Sequence, residues 1–200
     1  MDRPTLRELW ANHTGRLIDR WDHYLDIYPR YFERFRDKHV RVLEIGVCHG
    51  GSLQLWKAYF GYDAEITGLD INPQCKEYEE AQIKVVIGNQ ANPHFMAKFA
   101  EEHGPWDIVI DDGSHVTEHQ ETSFRALWPH TTAFYICEDC HTRYPQLEAG
   151  LIHQYPWVIV AEKLHVEPKR IVTGKPSREL NGDEKAVYGA INAVYRDPNP

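Results

Sequence analysis

The sequence has little cysteine, no long apolar run and no surplus of basic residues. Four cysteines in 200 residues are too few for a small secreted domain held together by disulfides. No stretch approaches the roughly 18 apolar residues that a membrane-spanning helix needs. The first eight residues also lack the apolar core of a signal peptide. We therefore predict a cytoplasmic protein that has no membrane partner.

Basic residues are outnumbered, with 22 lysines and arginines against 30 acidic residues and a formal net charge of −8. Such a balance repels phosphate backbones, so a nucleic-acid partner is not expected. A hydrophobic content of 42% is ordinary for a globular domain, and 200 residues suffice for one sizeable core. We predict a single domain over residues 1–200.

Short apolar runs alternate with helical segments in most of the chain. Each run is rich in β-branched residues and nearly continuous in apolarity, as is typical of parallel strands buried on both faces. This alternation predicts a doubly wound, Rossmann-like α/β fold with a mostly parallel sheet of about seven strands. The predicted strands are Val40–Ile45, Ile66–Leu69, Lys84–Ile87, Ile108–Ile110, Phe134–Ile136, Trp157–Val160 and Arg170–Thr173.

Helices are predicted before the first strand and between the strands. Large apolar residues recur at helical spacing in residues 1–37, which indicates a helical N-terminal segment ahead of a core at residues 38–200. Asn92 followed by Pro93 has the form of a helix N-terminus, and Thr117 begins the pattern of a capping box. The predicted helices of the core are Ser52–Phe60, Asn92–Glu102, Thr117–Trp128 and Glu184–Val194.

A glycine-rich turn follows the first predicted strand and suits a nucleotide-like ligand, since glycines let the main chain turn sharply and be approached closely. Asp70 ends the second strand, where a carboxylate can bind ribose hydroxyls. Glu44, just before the first glycine, is typical of S-adenosylmethionine sites, whereas the dinucleotide fingerprint fails at its second glycine, which is Cys48. We predict S-adenosylmethionine, with a dinucleotide oxidoreductase as a distant alternative. The turn contains Gly46, Gly50, Gly51 and Ser52.

Two later strands end in acids: Asp111 and Asp112 follow one, and Glu138 and Asp139 follow the next. In this type of sheet those strands are neighbours, so their ends open on the same crevice as the cofactor. Clustered carboxylates repel one another unless a cation lies among them, and oxygen ligands suit Mg²⁺. We predict a metal site at Asp112, Glu138 and Asp139. Helix capping or pairing with Arg143 is the alternative explanation for single acids.

His115 lies three residues after Asp112 and is the predicted general base, because histidine titrates near neutral pH. A metal would lower the pKa of a bound hydroxyl, and His115 would take its proton as the oxygen attacks the methyl carbon. Two other chemistries compete. Residues 115–119 read as the H-x-x-E-H pattern of zinc proteases, although the preceding turn should place His115 outside the helix. Cys137 and Cys140 have C-x-x-C spacing, but no second such pair completes a zinc site.

Taken together, these motifs resemble the metal-dependent sugar O-methyltransferases of macrolide and rhamnose tailoring, which have the class I S-adenosylmethionine-dependent fold. The resemblance covers roughly residues 38 to 145. The segments that carry it are Val42–Gly46, Gly50–Leu53, Gly68–Ile71, Ile110–His115 and Glu138-Asp139.

The resemblance implies that Asp112, Glu138 and Asp139 hold Mg²⁺ or another divalent cation and that His115 is the base. This chain departs from the family at Asn89, where relatives usually have an acid. The residues that would line the cofactor are Glu44, Gly46, Gly50, Gly51, Ser52, Asp70, Asn89, Gln90 and Asp111.

We therefore expect an enzyme that methylates a hydroxyl of a sugar or glycosylated natural product. A catechol or another small diol is the alternative acceptor, and a catalytically inactive S-adenosylmethionine-binding protein is the alternative of a different class. Retention of His115 beside three metal acids argues against the inactive protein, since cofactor binding alone needs none of them. A homo-oligomer, in which a neighbouring chain closes the acceptor pocket, is left open by the sequence.

Overall fold

The computed structural model describes residues 3–139 and 170–173. Three short 3₁₀ helices occur within these residues, at Glu33–Phe35, Pro73–Tyr78 and Trp128–His130. The longer elements are α1 (Leu6–Ala11), β1 (Ile18–Trp21), α2 (Tyr24–Phe32), β2 (Val40–Ile45), α3 (Gly51–Phe60), β3 (Ala64–Asp70), β4 (Ile83–Ile87), α4 (Pro93–His103), β5 (Trp106–Asp111), α5 (Thr117–Leu127), β6 (Thr131–Cys137) and β7 (Arg170–Thr173).

Five strands form one parallel sheet in the order β4-β3-β2-β5-β6. The strand order reverses at β2, which has β3 on one side and β5 on the other, and ligand crevices of such sheets open at this point. The predicted doubly wound sheet is confirmed, but its described part has five strands rather than about seven. The strands β1 and β7 pair antiparallel in a separate two-stranded sheet.

An apolar cluster covers each face of the parallel sheet. Successive side chains of a strand point to opposite faces, so β2 contributes residues to both clusters. Val40 and Val42 of β2 belong to the apolar cluster that includes residues of α3 and of the N-terminal segment. Leu43 and Ile45 belong to the cluster that includes residues of α4 and α5. Glu44 alternates with Leu43 and so lies on the face of α3 and the N-terminal segment.

Every strand predicted within the described residues is present, extended by no more than three residues at an end. The predicted strand Trp157–Val160 and helix Glu184–Val194 lie outside the described residues, so the single-domain assignment of residues 1–200 stays a prediction. Within residues 3–139 and 170–173, no helix is both long and apolar enough to cross a membrane.

One predicted helix start is confirmed and another is wrong. Asn92 caps α4, and its side chain accepts hydrogen bonds from the backbone N–H groups of His94 and Phe95 at 3.0 and 3.1 Å. Thr117 is instead the first residue of α5 and not its cap. The predicted capping box does not form, because Val116 occupies the N-cap position; the Gln120 side chain donates instead to the backbone carbonyl of Glu138 at 3.2 Å.

The N-terminal segment is only partly helical, which corrects the expectation for residues 1–37. Part of its apolar residues do lie in α1 and α2, where Leu6, Trp10 and Phe32 are buried. Between them, Ile18–Trp21 forms β1, whose burial alternates in the way a strand requires. Helical spacing misled here because β1 is stabilised by pairing with β7, far away in sequence.

The turn after β2 depends on Gly46, which adopts a φ of +93° and donates from its N–H to the carbonyl of Leu69 at 2.8 Å. A Cβ atom at this position would lie 2.0 Å from the backbone oxygen of Asp112. The absence of a side chain therefore lets the turns after β2 and β5 contact each other.

We expect Gly46→Ala to destabilise the protein by about 2–5 kcal/mol, because the left-handed backbone and a clash with main chain add together. Gly61→Ala is the matched control, since Gly61 has a φ of +95° but its Cβ would meet the movable carboxylate of Asp37. Urea unfolding of both variants measures the difference. Equal losses in the two variants would show that the contact with the turn after β5 is unimportant.

Candidate functional site

Acidic side chains gather at the carboxyl ends of β2, β5 and β6. In the sheet register, Ile45 lies beside Asp111 and Asp111 beside Cys137. The residues that follow, Asp112 and Glu138, therefore leave the sheet at the same edge. The prediction that the ends of β5 and β6 lie side by side is confirmed by the strand order.

Three side chains converge at this edge: Asp112, His115 and Asp139. One ligand atom from each lies within 4.8 Å of the other two. The His115 Nε2 atom lies 3.7 Å from Oδ2 of Asp139 and 4.0 Å from Oδ1 of Asp112. His115 and Asp139 both adopt positive φ angles, +57° and +53°, which are costly for residues with side chains. The loops thus accept backbone strain where these side chains meet.

The structure places Glu138 beside this group rather than in it. Its side chain is 3% exposed, and both carboxylate oxygens already accept hydrogen bonds. Arg20 Nη1 donates to Oε2, and the Tyr28 hydroxyl donates to Oε1. Of the three predicted metal acids, two therefore meet with His115, whereas Glu138 faces the N-terminal segment.

Arg20 is the buried cation that these acids share, and the sequence analysis did not single it out. Its side chain is 1% exposed, and its guanidinium contacts Glu44, Glu138 and Asp112, the last at 3.0 Å. Trp56 lies beneath it, with 5.9 Å between the guanidinium carbon and the ring centroid. Burial alone would lower the pKa of Arg20, but the surrounding carboxylates raise it above its usual value. The burial pattern of β1 places Arg20 on the buried side of the strand, but the order Ile-Asp-Arg-Trp does not alternate apolar and polar residues and so does not reveal this in the sequence.

The same segment orients Asp139. Trp21 Nε1 and the Tyr24 hydroxyl donate to Asp139 Oδ1 at 2.6 and 3.0 Å. The backbone N–H of Asp139 in turn donates to the Tyr24 oxygen at 2.9 Å. These contacts hold one carboxylate oxygen and leave Oδ2 directed at His115. Trp21 and Tyr24 are further site residues that periodicity in the N-terminal segment could not identify.

The electrostatics of the site fit a divalent cation. Burial, and then repulsion by Glu138, raise the pKa of Asp112 well above its usual range, although Arg20 opposes this. Burial also raises the pKa of Glu138 to about 7, again against the effect of Arg20. A cation among these groups would favour their ionised forms. Carboxylate oxygens are the donors that Mg²⁺ prefers, so the donor set matches such an ion.

Contacts with other parts of the protein help to fix the shape of the glycine-rich turn. Gly50 has a φ of +74° and precedes α3. A Cβ atom on Gly51 would lie 2.3 Å from the backbone oxygen of Arg16, so residues ahead of β1 pass directly over the start of α3. Ser52 is buried and donates to Glu44 at 2.8 Å. Glu44, fully buried, thus lies behind the turn, and burial raises its pKa.

Asp70 lies at the predicted place, at the end of β3. Its Oδ2 accepts from the backbone N–H groups of Val47 and Cys48 at 2.8 and 3.1 Å, and its Oδ1 accepts from that of Asn72 at 2.8 Å. The carboxylate therefore fixes the glycine-rich turn and stays partly exposed at the same edge. Ile71 beside it is 66% exposed and offers an apolar surface that the sequence analysis did not single out.

Gln90 and Asp111 form a buried hydrogen-bond network on the other face of the sheet. The Gln90 amide donates to Asp111 Oδ1 at 3.1 Å and accepts from the backbone N–H of Ser114 at 2.7 Å. Tyr135 donates to Asp111 Oδ2 at 2.7 Å. Burial raises the pKa of Asp111 to about 6. These contacts support the loop that carries His115, whereas Asn89 is exposed beside them.

The zinc-protease interpretation loses its geometric basis. His115 precedes α5 and has a positive φ, so it does not share a helical face with His119. His119 Nδ1 instead lies 2.9 Å from Ser114 Oγ. The C-x-x-C interpretation also lacks structural support within the described part of the chain, since Cys140 lies outside it.

Sequence comparison shows what the chain is similar to. No protein-family model matches it. The 8-demethyl-8-(2-methoxy-alpha-L-rhamnosyl)-tetracenomycin-C 3'-O-methyltransferase of Streptomyces olivaceus is 40% identical over 148 residues, which are 70% of this chain and 37% of the relative. The demethylmacrocin O-methyltransferase of Streptomyces fradiae is 40% identical over 154 residues, 71% of this chain and 38% of the relative. The mycinamicin VI 2''-O-methyltransferase of Micromonospora griseorubida is 38% identical over 151 residues, which are 71% of this chain and 37% of the relative. The chain thus spans less than two fifths of the length of these relatives.

Solved structures agree with the sequence comparison. A methyltransferase of the mycinamycin biosynthetic pathway, in complex with Mg, SAH and mycinamycin VI, has a TM-score of 0.59 and 39% identity over 68% of this chain and 37% of that chain. Another crystal form, in complex with Mg and SAH, has a TM-score of 0.64 and 26% identity over 100% of this chain and 61% of that chain. The predicted class I methyltransferase fold is confirmed by this likeness.

Loss of the Tyr28 hydroxyl should destabilise the acidic end of the sheet. We expect Tyr28→Phe to lower the free energy of unfolding by about 1–3 kcal/mol, because a buried Glu138 oxygen loses its donor. Tyr62→Phe, at a side chain that is 85% exposed, is the control and should stay within about 0.5 kcal/mol of the wild type. Urea unfolding at constant pH provides the comparison, and equal behaviour of the two variants would contradict the role given to Tyr28.

Proposed function

We propose that this chain, a homologue of sugar O-methyltransferases, transfers a methyl group from S-adenosylmethionine to a hydroxyl of a sugar or glycosylated natural product. The observation that carries this proposal is the convergence of Asp112, His115 and Asp139 beside the glycine-rich turn. Cofactor binding alone requires no such group, whereas deprotonation of a hydroxyl does. The sugar acceptor rests on the names of the relatives.

The cofactor is assigned to the edge formed by the ends of β2, β3 and β4. Asp70 can accept hydrogen bonds from ribose hydroxyls there, since two carboxylate oxygens offer about four acceptor positions and three backbone donors occupy them in part. Ile71 provides an exposed apolar surface for a flat ring. We assign the buried Glu44, Gln90 and Asp111 to the support of the adjoining loops rather than to direct contact.

The acidic group is assigned to a divalent cation. Asp112 and Asp139 would hold it, and Glu138 would join them after a change of its present hydrogen bonds. When bound, such an ion supplies positive charge that lowers the pKa of an acceptor hydroxyl.

His115 is assigned to the proton. Its side chain is 40% exposed, so an acceptor can reach it, and its Nε2 faces the two acids of the cation site. The acceptor oxygen attacks the methyl carbon as the bond from that carbon to sulfur breaks. The products are the methyl ether and S-adenosylhomocysteine, and His115 takes the hydroxyl proton.

A catechol or another small diol is the second acceptor class, because the same cation and base would serve it.

The single domain, the cytoplasmic location and a homo-oligomer that closes the acceptor pocket also stay predictions. The relatives are about twice as long as this chain, so acceptor recognition is the part of the proposal that most needs a direct assay.

Calorimetry and a methyl-transfer assay test the proposal together. We expect binding of S-adenosylmethionine and not of NAD, and methyl transfer to members of a panel of rhamnosides, macrolide glycosides and catechols. Activity should require Mg²⁺ and disappear in EDTA, since the acceptor pKa is otherwise too high. Binding of NAD alone would refute the methyltransferase assignment, and undiminished turnover in EDTA would refute the metal assignment.

His115→Ala separates the two roles open to this histidine. As a general base, its loss should lower kcat by about 10²–10⁴-fold while the dissociation constants of S-adenosylmethionine and Mn²⁺ stay near those of the wild type. His94→Ala, at an exposed residue of α4, is the control and should change none of these values. A loss of Mn²⁺ affinity in His115→Ala would instead identify the histidine as a metal ligand.

A further inference from the structure

Arg20 lies where the acids of the proposed metal site meet the acid behind the cofactor turn. Its Nη1 atom donates to Oε2 of Glu138 and lies 3.0 Å from Oδ2 of Asp112. Its Nη2 atom donates to Oε1 of Glu44. One guanidinium nitrogen thus bridges two of the three carboxylates assigned to a divalent cation.

We propose that Arg20 is a built-in counter-cation of the acidic site, and that a divalent cation binds by displacing its Nη1 end from Asp112 and Glu138. This inference rests on the proposed metal site and adds a competitor to it. In the metal-free protein the cation at this site is thus Arg20, a residue of the chain's own N-terminal segment.

The need for a counter-cation follows from burial. The side chains of Glu44 and Glu138 are 0% and 3% exposed, and that of Asp112 is 24% exposed. Buried carboxylates without an opposite charge are strongly destabilising. Arginine stays protonated at all ordinary pH values, so its charge is available whenever metal is absent.

Competition follows from the use of the same oxygens. Both oxygens of Glu138 already accept hydrogen bonds, and the one that Arg20 contacts lies on the side of Asp112. A divalent ion that approached these oxygens would repel the guanidinium at close range. Glu44 gives Arg20 a remaining partner, because Nη2 and Nη1 bind different carboxylates. The guanidinium can therefore withdraw from the metal acids and remain paired.

Two effects of opposite sign distinguish a competitor from a residue that merely orients the ligands. Removal of the Arg20 charge should weaken the metal-free fold, because the acids lose their counter-cation. The same removal should strengthen metal binding, because the ion no longer displaces anything. A residue that only orients Asp112 and Glu138 would weaken metal binding when it is lost.

Arg20→Gln tests this with Mn²⁺ as the probe, by electron paramagnetic resonance titration and by thermal unfolding in EDTA and in Mn²⁺. We expect a dissociation constant for Mn²⁺ lower by about tenfold or more, a lower Tm in EDTA, and a Tm in saturating Mn²⁺ that approaches the wild type. Arg20→Lys retains the charge and should leave the dissociation constant near that of the wild type. Arg16→Gln, in the same N-terminal segment, removes one of the two cations paired with Glu80; it is the control for loss of a nearby ion pair and should leave Mn²⁺ affinity unchanged.

Equal or weaker Mn²⁺ binding by Arg20→Gln would overturn the inference. Failure of Arg20→Gln to fold even in saturating Mn²⁺ would also overturn it, since the ion should replace the lost charge. Absence of Mn²⁺ binding by the wild type has a different meaning, because it would refute the proposed metal site itself.

Discussion

The contact of one buried guanidinium with three carboxylates is the interaction on which the rest of the site depends. Glu44, Asp112 and Glu138 come from three different strand ends, and Arg20 contacts all of them. Removing one partner from such a group costs far more than the group gains over apolar packing, because the remaining charges stay buried. The N-terminal segment is therefore tied to the acidic edge of the sheet, and the site is complete only when that segment is in place.

Strand alternation explains how the predicted residues divide between two roles. Glu44 faces α3 and the N-terminal segment, where Ser52 and Trp56 donate to it along with Arg20. Asp111 lies on the opposite face, where Tyr135 and Gln90 donate to it. Neither carboxylate can turn toward the crevice without breaking these bonds. The residues that we propose to take part in the reaction are accordingly the ones that follow the strands, in the loops between the two faces.

The parallel sheet was predictable from sequence because its strands read as short, nearly continuous apolar runs, and the central strands β2 and β5 are buried along almost their whole length. The proximity of the acidic ends of β5 and β6 was also predictable, because it follows from the strand order of this type of sheet alone. The strand Ile18–Trp21 was not predictable, since its partner is Arg170–Thr173 and no local pattern records that pairing. The same long-range contact hides the roles of Arg20 and Tyr24. Thr117 is not a cap for a similar reason, because the capping pattern is local while Gln120 finds a partner at Glu138, just after β6.

The N-terminal segment also contacts one of the two strained residues of the candidate site. His115 and Asp139 both occupy left-handed conformations, at a cost of order 1–3 kcal/mol for each residue. Trp21 and Tyr24 hold Asp139 through three hydrogen bonds, and Gln90 holds the loop of His115 through the N–H of Ser114. These hydrogen bonds can offset the backbone strain only while the loops that carry His115 and Asp139 keep their contacts with the rest of the site. Arg20 and Trp21 are neighbours on β1, where Trp21 contacts Asp139 and the guanidinium of Arg20 contacts Glu44, Asp112 and Glu138. Neutralisation of the buried acids and orientation of Asp139 are thus carried by adjacent residues of one short strand, so both depend on that strand being in place.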